Sequence, residues 1–126
     1  MLPVRLRDFI EDRDDWLYAV SAYDNSESVG CVLRYVPDEN GERVSASGRR
    51  YAKCDFERAY ALVRERKPQY AGLIHRVPCA DIRRVLKPDL EIGRIARDHI
   101  RVRTLLDLFG LPEGTVGCTG SLLCGL

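Results

Sequence analysis

Two strand-forming runs stand so close together in this chain that their separation excludes most architectures. Trp16-Leu17-Tyr18-Ala19-Val20-Ser21-Ala22-Tyr23 ends at the turn cluster Asp24-Asn25-Ser26, and Val29-Gly30-Cys31-Val32-Leu33-Arg34-Tyr35-Val36 begins almost at once. A parallel crossover needs about a dozen residues or more, so the two runs are expected to pair antiparallel. The second run stops at Pro37, and Asp38-Glu39-Asn40-Gly41 offers residues that tolerate positive φ in a hairpin turn. A weaker third strand is expected from Glu42 to Ala46, continuing or restarting after Gly48 through Arg49-Arg50-Tyr51-Ala52-Lys53.

The periodicity then changes. Asp55 is placed to cap a helix in which Phe56, Ala59, Tyr60 and Val63 form one apolar stripe, ended by Lys67-Pro68. Tyr70 to Val77, bounded by Pro68 and Pro78, reads as a strand or extended edge segment. Ile82, Val85 and Leu86 carry helical spacing, so a two-turn helix closed by Pro88 is expected there. Leu90, Ile92 and Ile95 begin another helix that breaks near Asp98-His99, and Val102, Leu105, Leu106 and Phe109 mark a further one stopped by Gly110 and Pro112. The fold class is therefore α+β: an antiparallel three- to four-stranded sheet packed with helices, followed by further helices and a final β-prone run. The expected division is 1–88 for the N-terminal α+β domain, 89–112 for a helical connector, and 113–126 for the start of another domain.

Several function classes drop out early. No apolar stretch is long enough to span a bilayer, and Met1 to Asp8 alternates charge with apolarity, unlike a signal peptide. Five scattered cysteines without a C-x-x-C pair fit neither a disulfide framework nor a zinc ribbon, and a cytoplasmic protein with reduced thiols is expected. Residues 1–48 carry five Arg against ten acidic residues, whereas residues 49–126 carry fifteen Lys and Arg against nine. Seventeen of the twenty basic residues are Arg, which suits phosphate and carboxylate, but an Arg-rich coding bias would give the same excess.

The segment with most chemical content is Val116-Gly117-Cys118-Thr119-Gly120-Ser121-Leu122-Leu123-Cys124-Gly125-Leu126, a β-prone run, a Gly-Ser turn and a possible helix start. Glycine lets a phosphate approach the backbone, the unpaired N–H groups of a helix start point at it, and a serine hydroxyl adds a donor. A plain strand-to-helix turn has the same composition. The run Thr119-Gly120-Ser121-Leu122-Leu123-Cys124-Gly125-Leu126 resembles the first motif of the polymerase-beta-like nucleotidyltransferases. Gly72-Leu73-Ile74-His75-Arg76-Val77-Pro78, with Asp81-Ile82 and Leu86-Lys87-Pro88, is similar to the N-terminal extension of predicted archaeal nucleotidyltransferases.

That resemblance implies that 113–126 begins a transferase domain and that Gly120 and Ser121 hold a nucleotide triphosphate in the intact enzyme. It also implies magnesium, bound by a pair of acidic residues on the next strand, ten or more residues beyond the Gly-Ser pair. The sequence stops five residues past Ser121, so no catalytic or metal-binding residue is assigned to it. A piece of a larger enzyme, or a free-standing relic without catalysis, is the expectation. The alternative is a non-catalytic module that binds nucleic acid or a protein through its basic later portion.

The other chemically suggestive residues have blander readings that fit better. His75, in an apolar strand-like segment, reads as a core or edge histidine rather than a base, and His99 as a surface residue at a helix junction. Glu11-Asp12-Arg13-Asp14-Asp15 reads as a solvated loop rather than a cation site. Cys118 and Cys124 read as buried thiols. Arg49-Arg50 with Lys53, and Arg83-Arg84 with Lys87, read as solvated faces before phosphate contacts. Trp16, Tyr18, Tyr23, Tyr35 and Tyr51 read as sheet core before a stacking surface.

Overall fold

The computed structural model describes residues 4–109, 117, 119, 120 and 122–126. They form an α+β fold with one antiparallel sheet and three α-helices. The strands are β1 (Phe9–Asp12), β2 (Leu17–Val20), β3 (Ser28–Pro37), β4 (Arg43–Val44), β5 (Arg50–Lys53), β6 (His75–Pro78) and β7 (Ile82–Leu86); the helices are α1 (Phe56–Arg66), α2 (Pro88–Asp98) and α3 (Ile100–Leu108). The strand order is β4-β5-β3-β2-β1-β7, with β6 also paired to β3. β3 is the spine: β2 runs along one edge, while β6 pairs with Ser28–Cys31 and β5 with Tyr35–Pro37 on the other.

The sheet has seven described strands where three or four were expected, and two of the additions correct the sequence reading. β1 takes in Glu11 and Asp12, the first two residues of the stretch read as a solvated acidic loop, and β7 occupies the stretch read as a short helix. The helical look of β7 has a simple cause. Glu11 pairs with Arg84 and Asp12 with Ile82, which leaves Arg83 as an extra, bulged residue. The bulge puts Ile82 and Val85, three apart, on one face with Ile10, and Leu86 on the other with Phe9. A bulged strand buried on both faces thus reproduces the spacing of a helical stripe.

A second bulge sets the two cores. Leu17 pairs with Tyr35 and Tyr18 with Leu33, so Arg34 is the extra residue, and its carbonyl accepts from Cys54 N at 2.7 Å. Val29, Cys31 and Leu33 face α1, where Ala59 and Val63 pack with Ile10, Tyr18 and Val77. Beyond the bulge the alternation inverts, and Tyr35 joins Phe9, Leu17, Tyr51 and Leu86 under Ile95 of α2.

Asp55 caps α1 as expected, accepting from Arg58 N at 2.8 Å. The helix is rotated from the expected stripe: Ala59 and Val63 are buried, but Phe56 is 65% exposed. α2 and α3 form where expected, with Leu106 of α3 on Ile92 and Ala96 while Leu105 and Phe109 remain exposed. Gly41 does not adopt a positive φ; its place in the β3–β4 turn is set by crowding, because a Cβ there would lie 2.2 Å from the Tyr51 carbonyl oxygen. The glycine that serves a hairpin through its φ is Gly48, at +86°, closing the Ser45–Gly48 turn between β4 and β5.

Candidate functional site

The described part of the Gly-Ser segment is pinned to the sheet face under α2. Gly117 lies against the start of that helix, where a Cβ would come within 2.7 Å of Pro88 Cβ and 2.9 Å of Asp89 N. Thr119 Oγ1 donates to the Arg7 carbonyl at 2.7 Å. Gly120 adopts φ +77°, and its carbonyl accepts from Cys124 N at 3.2 Å, so one helical turn starts at this residue. Leu123 and Cys124 of that turn are buried beside Phe9, Tyr35 and Ile95. Arg94 of α2 donates from Nη2 to the Leu123 carbonyl at 3.0 Å, one of the carbonyls that a helix would otherwise have satisfied. A side chain built at Gly120 would meet nothing within 4 Å, so the backbone there is open to approach.

Ser121 lies outside the described residues, as do Cys118 and Thr115–Val116 of the expected strand. Residues 117 and 119 have no regular secondary structure.

Beside the turn is a cleft of about 290 Å³, lined by Ser45, Ala46 and Ser47 of the β4–β5 turn, Arg84 and Leu86 of β7, Glu91 and Arg94 of α2, and Leu123–Gly125. Arg94 is committed: Nε binds Glu91 Oε2 at 3.0 Å and Nη2 the Leu123 carbonyl. Among the described residues Arg84 bonds only through Nε, to Glu11 Oε2 at 2.8 Å, and its side chain is 57% exposed. The same Glu11 takes Arg83 on Oε1 at 2.5 Å, because the β7 bulge turns two consecutive arginines toward one carboxylate. Arg83 also pairs with Asp15, which in turn pairs with Arg49. Burial outweighs the pull of Arg84 and pushes the Cys124 thiol up to about 12, which leaves it protonated near neutral pH.

The acidic run is a loop only in part: Glu11 and Asp12 end β1, and Arg13–Asp15 make the turn into β2, with Arg13 and Asp14 exposed. Asp8, Glu11 and Asp12 are buried, and each meets a cation. Asp12 Oδ2 accepts from Lys67 Nζ and from the Tyr18 hydroxyl, both at 2.8 Å, while Oδ1 accepts from Asp14 N and Trp16 N. Asp14 takes the same ammonium at 2.7 Å, and Lys67 also sits 4.6 Å from the Trp16 ring centroid. Burial alone would depress the lysine; the bonds and charges of Asp12 and Asp14 outweigh it and hold the ammonium above its usual range. Burial, then Asp12, pushes the Tyr18 phenol far up, so it keeps the proton that it donates to Asp12. Asp8 holds Lys87 at 2.5 Å. These pairs of Asp8, Glu11 and Asp12 clamp β1 to β7 and to the residue that ends α1. Among the described residues no group of three His, Cys, Asp or Glu side chains converges on a metal.

His75 is a core residue. β6 and β5 leave a gap along the β3 edge, and His75 Nδ1 fills it by accepting from Leu33 N at 3.1 Å. Burial keeps the ring neutral by lowering its pKa, and the Tyr60 ring lies 4.6 Å away. His99 is half-buried at the α2–α3 junction. Trp16, Tyr18, Tyr35 and Tyr51 are core; Tyr23 is exposed. Lys87 of the second basic cluster is buried, and Arg50 donates to the Gly41 carbonyl, so neither cluster is a uniformly solvated face. Sequence reading missed Ser45, Ser47 and Arg94, which carry no local motif and meet only through the fold.

Over 99% of its length, the chain is 28% identical to the uncharacterized protein MJ1086 of Methanocaldococcus jannaschii. The chain spans 44% of that relative. No protein-family profile matches, and no solved structure matches. No helix among the described residues is long and apolar enough to cross a membrane.

Proposed function

We propose that this chain is the N-terminal portion of a nucleotidyltransferase, in which the turn at Gly120-Ser121 receives the triphosphate of a nucleotide. The observation that carries this reading is Gly120: left-handed backbone, open space where a side chain would stand, and a helical turn that starts at its carbonyl. A turn of this form presents backbone N–H groups to an anion. Its anchoring by Leu123, Cys124 and Arg94 supports a preorganised cradle rather than a frayed tail.

This chain's own carboxylates do not fit the magnesium role. Those described near the turn are Glu91, bound to Arg94, and Glu11, bound to Arg83 and Arg84, and they are not gathered around Gly120. No chemical step through a metal is assigned to these residues. MJ1086 is more than twice the length the chain covers, which leaves room there for the acidic pair that the family places after its Gly-Ser motif. Unbridged thiols at Cys31, Cys54, Cys79 and Cys124 favour a cytoplasmic setting.

The test is a titration of the ¹⁵N-labelled chain with each nucleoside triphosphate. Saturable amide shifts at Gly120, Ser121 and Leu122, lost in Gly120→Val, are expected. Unmoved amides at millimolar nucleotide would refute the reading.

A further inference from the structure

We propose that the cleft between the β4–β5 turn and α2 binds a phosphate group, held by the free edge of the Arg84 guanidinium and the hydroxyls of Ser45 and Ser47. This goes beyond the transferase reading and does not depend on it. Arg84 is fixed from behind: Nε on buried Glu11 orients the planar fork, and neither Nη atom has a hydrogen bond among the described residues. A preoriented fork whose Nη1–Nη2 edge is unused matches the oxygens of a phosphate better than a lysine would. Glu11 also serves Arg83, so one carboxylate faces two guanidinium groups there.

Across the cleft, Ser45 Oγ and Ser47 Oγ lie 2.9 Å apart. Only one proton is used between them, and the other is free for a ligand oxygen. The Gly48 turn holds both in place through Gly48 N to Ser45 O at 2.9 Å and Ser45 N to Arg49 O at 2.8 Å. Glu91 opposes an anion, but Arg94 neutralises it at 3.0 Å, and the lining keeps two arginines against one glutamate. About 290 Å³ suits a phosphate with part of what carries it. The phosphate could come from a free nucleotide or from a polynucleotide backbone; the chemistry of recognition is the same.

The experiment titrates the labelled chain with inorganic phosphate, a nucleoside monophosphate and a short single-stranded RNA, with acetate as a control anion. Saturable shifts at Ser45, Ser47 and the Arg84 side-chain Nε–H are expected with phosphate and not with acetate. Arg84→Gln should weaken phosphate binding about tenfold or more, the loss of charge-assisted hydrogen bonds. Ser45→Ala with Ser47→Ala, which leaves every ion pair intact, should weaken it about fivefold. Tighter binding of the monophosphate would identify a nucleotide as the source; tighter, salt-sensitive binding of RNA would identify a backbone. The proposal is overturned if phosphate produces no saturable shift, or if affinity is unchanged in the double serine variant and in folded Arg84→Gln. It fails separately from the transferase reading, which is scored at Gly120–Leu122.

Discussion

Replacing Lys67 by Met removes the buried charge that sits over the Trp16 ring while keeping most of the apolar side-chain stem. The lysine side chain is 9% exposed and that of Asp12 1%, so the carboxylate left behind has almost no access to water. Orphaning one partner of a buried pair costs about 3–5 kcal/mol. Asp12 would still accept from Asp14 N at 2.9 Å, Trp16 N at 3.0 Å and Tyr18 Oη at 2.8 Å, which points to the lower end, about 3 kcal/mol. At a urea slope of about 2 kcal/mol/M the unfolding midpoint falls by about 1.5 M. Asp12→Asn in the same background removes the orphaned charge and should recover about 1 kcal/mol or more. Equilibrium urea unfolding of the four members of this cycle measures both quantities. A loss below about 1 kcal/mol for Lys67→Met, or strictly additive single losses, would refute the claim that these residues form one buried unit. Because the lysine pKa is raised, the stabilisation is complete below its ordinary value of 10.5 and is lost as pH climbs through the folded value.

Three further outcomes follow from the same structure. His75 is held neutral with its pKa lowered, so the unfolded chain takes up the proton first; stability should decline as pH falls below 6.5, and His75→Gln should flatten that slope in pH-dependent melts. Gly41→Ala must displace the β5 backbone and should cost about 2 kcal/mol or more, whereas Gly48→Ala meets open space and bears only the left-handed penalty of about 1 kcal/mol; the reverse order in thermal melts would count against the assigned roles. In the native protein half-buried Cys79 should be alkylated before Cys31, Cys54 and Cys124, whose thiols burial pushes up, as peptide mass mapping would record; early labelling of Cys124 would contradict its packing.

Much of the fold was readable without coordinates because it rests on short-range signals. The β2–β3 pairing follows from two apolar runs with no room for a crossover, α1 from Asp55 and its periodic small residues, and the α2–α3 junction from the break at Asp98-His99. The candidate site was legible at the Gly-Ser pair, and among the described residues Gly120 shows the local reason, a left-handed glycine before a helical turn. Arg84 stood out in sequence only as part of a basic cluster with a blander reading, Ser45 and Ser47 not at all, and only the fold makes them a cleft.

Sequence alone therefore determined the antiparallel α+β class and the principal elements, since hydrophobic period, caps and turn residues act within a few positions. Tertiary structure decided the rest. Glu11 and Asp12 of the acidic run joined β1 because their cations come from Lys67, Arg83 and Arg84, dozens of residues away, and a helical-looking stripe became β7 because Arg83 bulges where it pairs with that strand. A charge cannot enter a core by its own propensity; the partner that makes burial tolerable is supplied only when the distant chain arrives.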